Sequence, residues 1–219
     1  MTNIAEGVWQ LSGFPSNYFN VYLVGDVLID AATRWGTWRV LRQLKGRPLR
    51  LVALTHCHPD HQGAAKAVCD RFGVPLACHR ADVSATEGKV PMQPGNRLIR
   101  LGEWIWAGPP CPVGRILEDG DEVAGFRVIH APGHTPGHCM FFRDSDRLCI
   151  AGDVLANLSF LTGRPGLRQP PIPFSVDAAQ NRRSIQSLAD LKPKVVCFGH
   201  GPPLRKPDLL ERFVARLKR

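Results

Sequence analysis

Thr55-His56-Cys57-His58-Pro59-Asp60-His61-Gln62-Gly63 decides the reading of this chain. Three histidines and an aspartate fall within six positions, and these are side chains that divalent metals favour. Imidazole suits zinc and other late first-row metals, and carboxylate adds charge and hard oxygen. The preceding run Leu51-Val-Ala-Leu-Thr55 reads as a buried strand and Ala64-Ala-Lys-Ala-Val-Cys-Asp-Arg-Phe72 as a helix. The motif therefore occupies a strand-to-helix turn. If the backbone stays extended, residues 56, 58 and 60 point one way, while His61 starts the helix and faces elsewhere. One short loop can thus feed two metal ions. Cys57 sits between two ligand-type residues, but alternation turns it away from them.

Three further stretches repeat the same arrangement. Ala131-Pro-Gly-His134-Thr-Pro-Gly-His138 follows the strand-like Phe126-Arg-Val-Ile-His130. Cys149-Ile-Ala-Gly-Asp153 and Val195-Val-Cys-Phe-Gly-His200 each end an apolar run with glycine and then a ligand-type residue. Glycine permits close backbone approach, so ligands at the carboxyl ends of several strands can converge.

On these motifs the chain resembles the metallo-β-lactamase fold superfamily, and within it the glyoxalase II-like hydrolases, over a span from Val27-Leu-Ile-Asp30 through His200-Gly201. The resemblance implies an α/β fold, the αββα four-layer sandwich in which two mixed sheets lie face to face between helices. It implies that His56, His58 and His134 bind one metal, that Asp60, His61 and His200 bind a second, and that Asp153 bridges the two. Asp30 would orient ligands, and His138 would support the Pro-Gly-His turn rather than bind metal. The cofactor expected is a pair of divalent ions, zinc first, with iron or manganese as substitutes.

The rest of the sequence agrees with one domain over residues 1–219. With 44% apolar content, a chain of 219 residues can bury roughly 70% of its unfolded surface. Strands are expected near 7–11, 19–24, 26–30, 50–55 and 74–78 in a first half, with helices near 35–45 and 61–72. A second half would hold strands near 116–118, 123–130, 139–143, 147–151 and 195–198, with helices near 177–191 and 207–217. The seven cysteines form no C-x-x-C pair, and no signal peptide or membrane-length apolar run appears, so a reduced, cytoplasmic setting without membrane contact is expected.

A net charge of +9 raises the question of nucleic acid. The basic residues are scattered apart from those on the terminal helix, so a solvated surface is the reading, with no nucleic-acid partner. Such a field also suits a small anionic substrate.

Two ions about 3.5–4 Å apart can share one water and lower its pKa to roughly 7. The reaction expected is attack of a metal-bound hydroxide on an activated acyl bond, a thioester, lactone or ester, with Asp60 aiming the nucleophile. A mono-iron persulfide dioxygenase-like enzyme shares the motif block and is the alternative, with a nucleic-acid-cleaving metallo-hydrolase behind it. Substrate contacts are expected from segment 88–115, read as a long loop bearing Trp104 and Trp106, and from 155–174, bearing Phe160, Leu161, Arg164 and Arg168. Phe14, Tyr18 and Phe19 form a lesser set. His79 and His130 read as structural histidines.

Overall fold

The computed structural model describes residues 1–217. Seven strands form the first sheet in chain order: β1 (Thr2–Ala5), β2 (Val8–Gln10), β3 (Tyr22–Val24), β4 (Val27–Ile29), β5 (Leu51–Ala53), β6 (Leu76–His79) and β7 (Val113–Leu117). β1 to β4 run antiparallel to one another, and β4 to β7 run parallel. The second sheet has the order β12-β11-β10-β9-β8, built from β8 (Glu122–Val123), β9 (Phe126–His130), β10 (Cys139–Arg143), β11 (Leu148–Ile150) and β12 (Val195–Cys197). Only β11 and β12 are parallel there.

Strand alternation builds the layers. Val27 and Ile29 of β4 and Leu51 and Ala53 of β5 face the inner core, where they meet Phe126, Val128, Phe141 and Ile150 of the second sheet. The intervening Leu28 and Val52 face outward onto α1 (Thr37–Leu44) and α3 (Ala65–Phe72) through Val40, Leu44 and Val68. On the second sheet Met140, Phe142, Cys149 and Val196 pack beneath α6 (Ala178–Asp190) and α7 (Pro207–Leu217). The central strands β4, β5, β10 and β11 are covered on both faces, which is why they read as continuous apolar runs rather than alternating ones. Helix, sheet, sheet, helix is the αββα sandwich.

Four sequence expectations need correction. The helix expected over 61–72 is two, α2 (Pro59–Gln62) and α3. Between them Gly63 presses on the backbone of Thr33 and Arg34, where a Cβ would stand 2.4 Å from Arg34 N. Asp60 accordingly lies in the first turn of α2, not on an extended backbone with His56 and His58. The strand near 116–118 is β7, and it closes the edge of the first sheet beside β6 instead of joining the second. Segment 88–115 is not one long loop, because α5 (Arg97–Trp106) occupies its middle; α4 (Val83–Thr86) lies just before it. The Asn96 side chain caps α5 by accepting from the N–H groups of Leu98 and Ile99.

Candidate metal centre

All seven ligand-type residues meet at the carboxyl ends of strands from both sheets. His56 and His58 leave β5, Asp60 and His61 follow in α2, His134 follows β9, Asp153 follows β11 and His200 follows β12. Their ligand atoms fall into three overlapping groups, each within 4.8 Å: His56, His58 and His134; His56, His61 and Asp153; Asp60, His61 and His200. Asp153 spans them. Its Oδ2 lies 3.7 Å from His134 Nε2 and 2.9 Å from His200 Nε2, and its Oδ1 lies 3.5 Å from His61 Nε2. Asp60 Oδ2 stands 3.3 Å from His200 Nε2.

Hydrogen bonds at the far side of each ring decide which nitrogen faces inward. Asp30 is the anchor, 1% exposed and held at φ 60, a left-handed conformation that aspartate tolerates better than most residues. Its Oδ2 accepts from His61 Nδ1 at 2.8 Å and from the Thr55 hydroxyl at 2.9 Å. That hydroxyl accepts in turn from His56 Nδ1 at 3.0 Å. His134 Nδ1 donates to Ser175 Oγ at 3.3 Å, and His200 Nδ1 donates to the Tyr18 carbonyl. His58 is reversed: Nε2 donates to the Gln93 carbonyl at 2.7 Å, leaving Nδ1 free.

After this orientation His56 Nε2, His61 Nε2, His134 Nε2 and Asp153 Oδ1 are buried without a hydrogen-bond partner. Buried polar atoms are ordinarily paired, and orphans of one chemistry converging on one space fit the lone-pair acceptor they lack, a cation. The donor set of imidazole and carboxylate suits a divalent ion.

The electrostatics divide the centre in two. Burial, and then the neighbouring imidazoles, push His56 and His134 well below the ordinary histidine value, so both are neutral and able to donate lone pairs. Burial also opposes charge on His200, yet Asp153 and Asp60 overrule it and raise its pKa to about 10. His61 is raised in the same way by Asp153 and Asp30 against the cost of burial. Burial works against ionised Asp60 as well, but the His200 hydrogen bond and the charge on His61 bring its pKa down to about 2.

Glycines let the strands approach this closely. A Cβ at Gly199 would lie 2.1 Å from Asp153 Oδ1 and 2.5 Å from His61 Cε1. Gly152 keeps φ 53 with its Cα facing His138, whose Nε2 accepts from the Asp153 N–H at 2.9 Å. His138 belongs to none of the three groups; it positions Asp153.

Sequence reasoning missed Asp82, which is 1% exposed. Its carboxylate accepts from Cys57 N–H at 3.0 Å, Thr135 Oγ1 at 2.8 Å and Gly137 N–H at 2.7 Å, tying the His56–His58 loop to the His134 loop. Asp82 stands three residues past the short strand ending at His79, without the glycine that precedes Asp153 and His200, so no local pattern singles it out. Cys57 turns away, as alternation requires, and packs with Ala85, Met92 and Ile99. His79 and His130 stack on each other with centroids 3.9 Å apart, away from the centre. Trp104 is 74% exposed, whereas Trp106 packs on Phe19. Arg164 and Arg168 are both exposed, and Arg168 Nε donates to the Gly166 carbonyl.

A two-sheet sandwich with a histidine and aspartate cluster at its strand ends defines a metal-binding hydrolase-type scaffold. The family model described as the metallo-beta-lactamase superfamily matches residues 19–200, and the chain belongs to that superfamily. It is 29% identical to the probable metallo-hydrolase YflN of Bacillus subtilis, over 91% of this chain and 86% of the relative. A hydroxyacylglutathione hydrolase, GloC of Haemophilus influenzae, is 32% identical over 49% of this chain and 50% of its own. Among solved structures, TTHA1623 in a di-iron-bound form superposes with a TM-score of 0.71 at 30% identity, covering 93% of this chain and 97% of that one. The chain is a metal-dependent hydrolase.

Proposed function

We propose that the chain is a dinuclear metallo-hydrolase of activated acyl bonds, a thioester, lactone or ester, working as one domain over residues 1–219. The observation that carries this reading is the set of four buried, unpartnered atoms on His56, His61, His134 and Asp153, flanked by the Asp60–His61–His200 group. His56, His58 and His134 would hold one ion and Asp60, His61 and His200 the other, with Asp153 within reach of both groups. Zinc is the first candidate, with iron or manganese able to substitute; the di-iron form of TTHA1623 keeps iron in view. Two divalent ions held here would supply Lewis acidity toward the scissile carbonyl and a nucleophile at neutral pH.

The remaining work falls to the chain's own residues. Asp60, ionised and 15% exposed on its side chain, is an acceptor-only group whose Oδ2 can hold a proton of the attacking water and aim it. Asp30, Thr55, Ser175 and the Tyr18 carbonyl hold the rings so that this aim is kept. A full second group of residues weighs against the mono-iron oxygenase alternative, which would leave Asp60, His61 and His200 without a task. The substrate is a small molecule, and an anionic group on it would suit the net positive field. We place the chain in the cytoplasm without membrane or nucleic-acid partners; all seven cysteines are free and buried, and no helix among the described residues is long and apolar enough to cross a membrane.

Elemental analysis of metal-replete protein, paired with an anaerobic panel of thioesters, lactones and aryl esters, tests the proposal. Two ions per chain and turnover of one ester class are expected. A firm limit of one ion, or oxygen uptake with glutathione persulfide and no acyl hydrolysis, would overturn it.

A further inference from the structure

One flank of the candidate centre, beside His200, is aromatic. Phe160 stands with its ring centroid 4.7 Å from that of His200, edge to face, and Phe19 stands 6.0 Å from the same ring. Tyr18 closes on Phe160 at 5.7 Å, and Trp106 backs Phe19 at 5.8 Å. Three separate pieces of chain supply this wall: the loop before β3, the segment after Asp153 and the last residue of α5. The covering is incomplete. Phe160 is 46% exposed and Leu161 beside it 98%, so apolar surface is open to solvent right next to a buried imidazole.

A core would bury these side chains, and a site built for a hydrophilic substrate would set hydrogen-bonding groups there. Half-open aromatic faces beside polar groups that fix orientation are what a pocket for an apolar ligand group offers. The Tyr18 carbonyl already accepts from His200 Nδ1, and Tyr18 Oη lies 3.5 Å from the Phe160 carbonyl, so the wall is braced to the ligand residue itself. A group held against Phe160 and Phe19 would therefore lie next to whatever reacts beside His200.

We propose that the preferred substrate carries an apolar acyl chain, and that Phe160, Phe19 and Tyr18 set this preference by packing along it. The proposal rests on the acyl-hydrolase reading above and adds the substrate class to it. Full burial of a methylene is worth about fourfold in affinity, and a half-open wall should return roughly twofold for each methylene it covers.

The test separates the wall from the chemistry by measuring binding as well as turnover. The carboxylates acetate, butyrate, hexanoate and octanoate share one headgroup, so any contact of that headgroup with the centre is common to all four. Titration calorimetry on the metal-replete protein should show affinity climbing along the series, and kcat/KM for the matching thioesters should climb in parallel. Phe160→Ala should flatten both slopes, whereas Phe160→Leu should keep most of them, an outcome that general damage to the fold would not produce. Phe160 is half exposed, and Phe19→Ala provides a second variant with the same expectation. A flat series with the native protein, or slopes unchanged in both alanine variants, would overturn the proposal. If carboxylate affinity climbs while no acyl bond is cut, the hydrolase reading has failed and the apolar site stands. Turnover with a flat series has the opposite meaning.

Discussion

At the scale of single residues the centre is a contest between protons and metal for the same lone pairs. His61 and His200 have raised pKa values because Asp153, Asp30 and Asp60 face them, and His200 reaches about 10. At neutral pH the metal-free chain therefore holds protons on both rings, and each must leave before the ring can ligate. Lowering the pH refills the rings and disfavours the loaded form, so apparent affinity falls as pH falls, by about tenfold per unit for each proton displaced. Calorimetric zinc titration at pH 7 in buffers of different ionisation enthalpy should register roughly two protons released per chain. Asp60 keeps its charge throughout this range, since its pKa lies near 2. Its replacement has a different signature. Asp60→Ala should lower kcat by about a hundredfold or more, because positioned proton-handling groups contribute on that order. Activity within tenfold of the native protein at full metal occupancy, checked by elemental analysis, would contradict the assignment.

At the scale of elements the site depends on loops that meet only through buried polar ties. Asp82, at the start of α4, is the tie between the turn after β5 and the turn after β9. Asp82→Ala would strand two backbone N–H groups and a hydroxyl in a buried space, at a cost of about 3 kcal/mol or more. Chemical denaturation should show the loss in midpoint with little change in slope, and zinc affinity should weaken although no ligand has been touched. The ligand motif was legible because it is local: His56, His58, Asp60 and His61 fall in one nonapeptide. The strand carriers were legible because both faces are buried, leaving Val27-Leu-Ile and Leu51-Val-Ala as plain apolar runs. Asp82 was not, since its three partners lie up to 55 residues away. Nor was α5, where Gly102 interrupts the helical run and apolar residues face solvent, with Leu98, Leu101 and Trp104 all exposed. β7 was read as a strand, but sheet membership depends on pairing across the chain, and no periodicity encodes it.

At the scale of the whole molecule two fields act, the surface charge and the buried centre. The +9 charge is distributed, and several arginines are already engaged over aromatic rings, as Arg34 over Trp35 at 4.7 Å and Arg42 over Trp38 at 4.5 Å. Shift assays with RNA or duplex DNA should then show only weak retention at low salt, vanishing by physiological ionic strength. Tight binding or metal-dependent cleavage would favour the nuclease alternative.

The buried centre acts on stability. Its residues come from both sheets, so an ion held there fastens β5, β9, β11 and β12 to one another and binds the folded chain alone. Free ion at a thousand times its dissociation constant adds about 4 kcal/mol. For a chain of this size each kcal/mol moves Tm by roughly 2–4 °C. Stripping the ions with chelator should therefore lower Tm by about 8–16 °C at pH 7.5, and restoring zinc should recover it. Because the stripped centre is held together by protonated His61 and His200 against Asp60 and Asp153, the gap should narrow as the pH is brought toward 6. A Tm indifferent to chelation, with the metal shown by elemental analysis to be gone, would mean that these side chains fold without needing the ions their orphaned atoms imply.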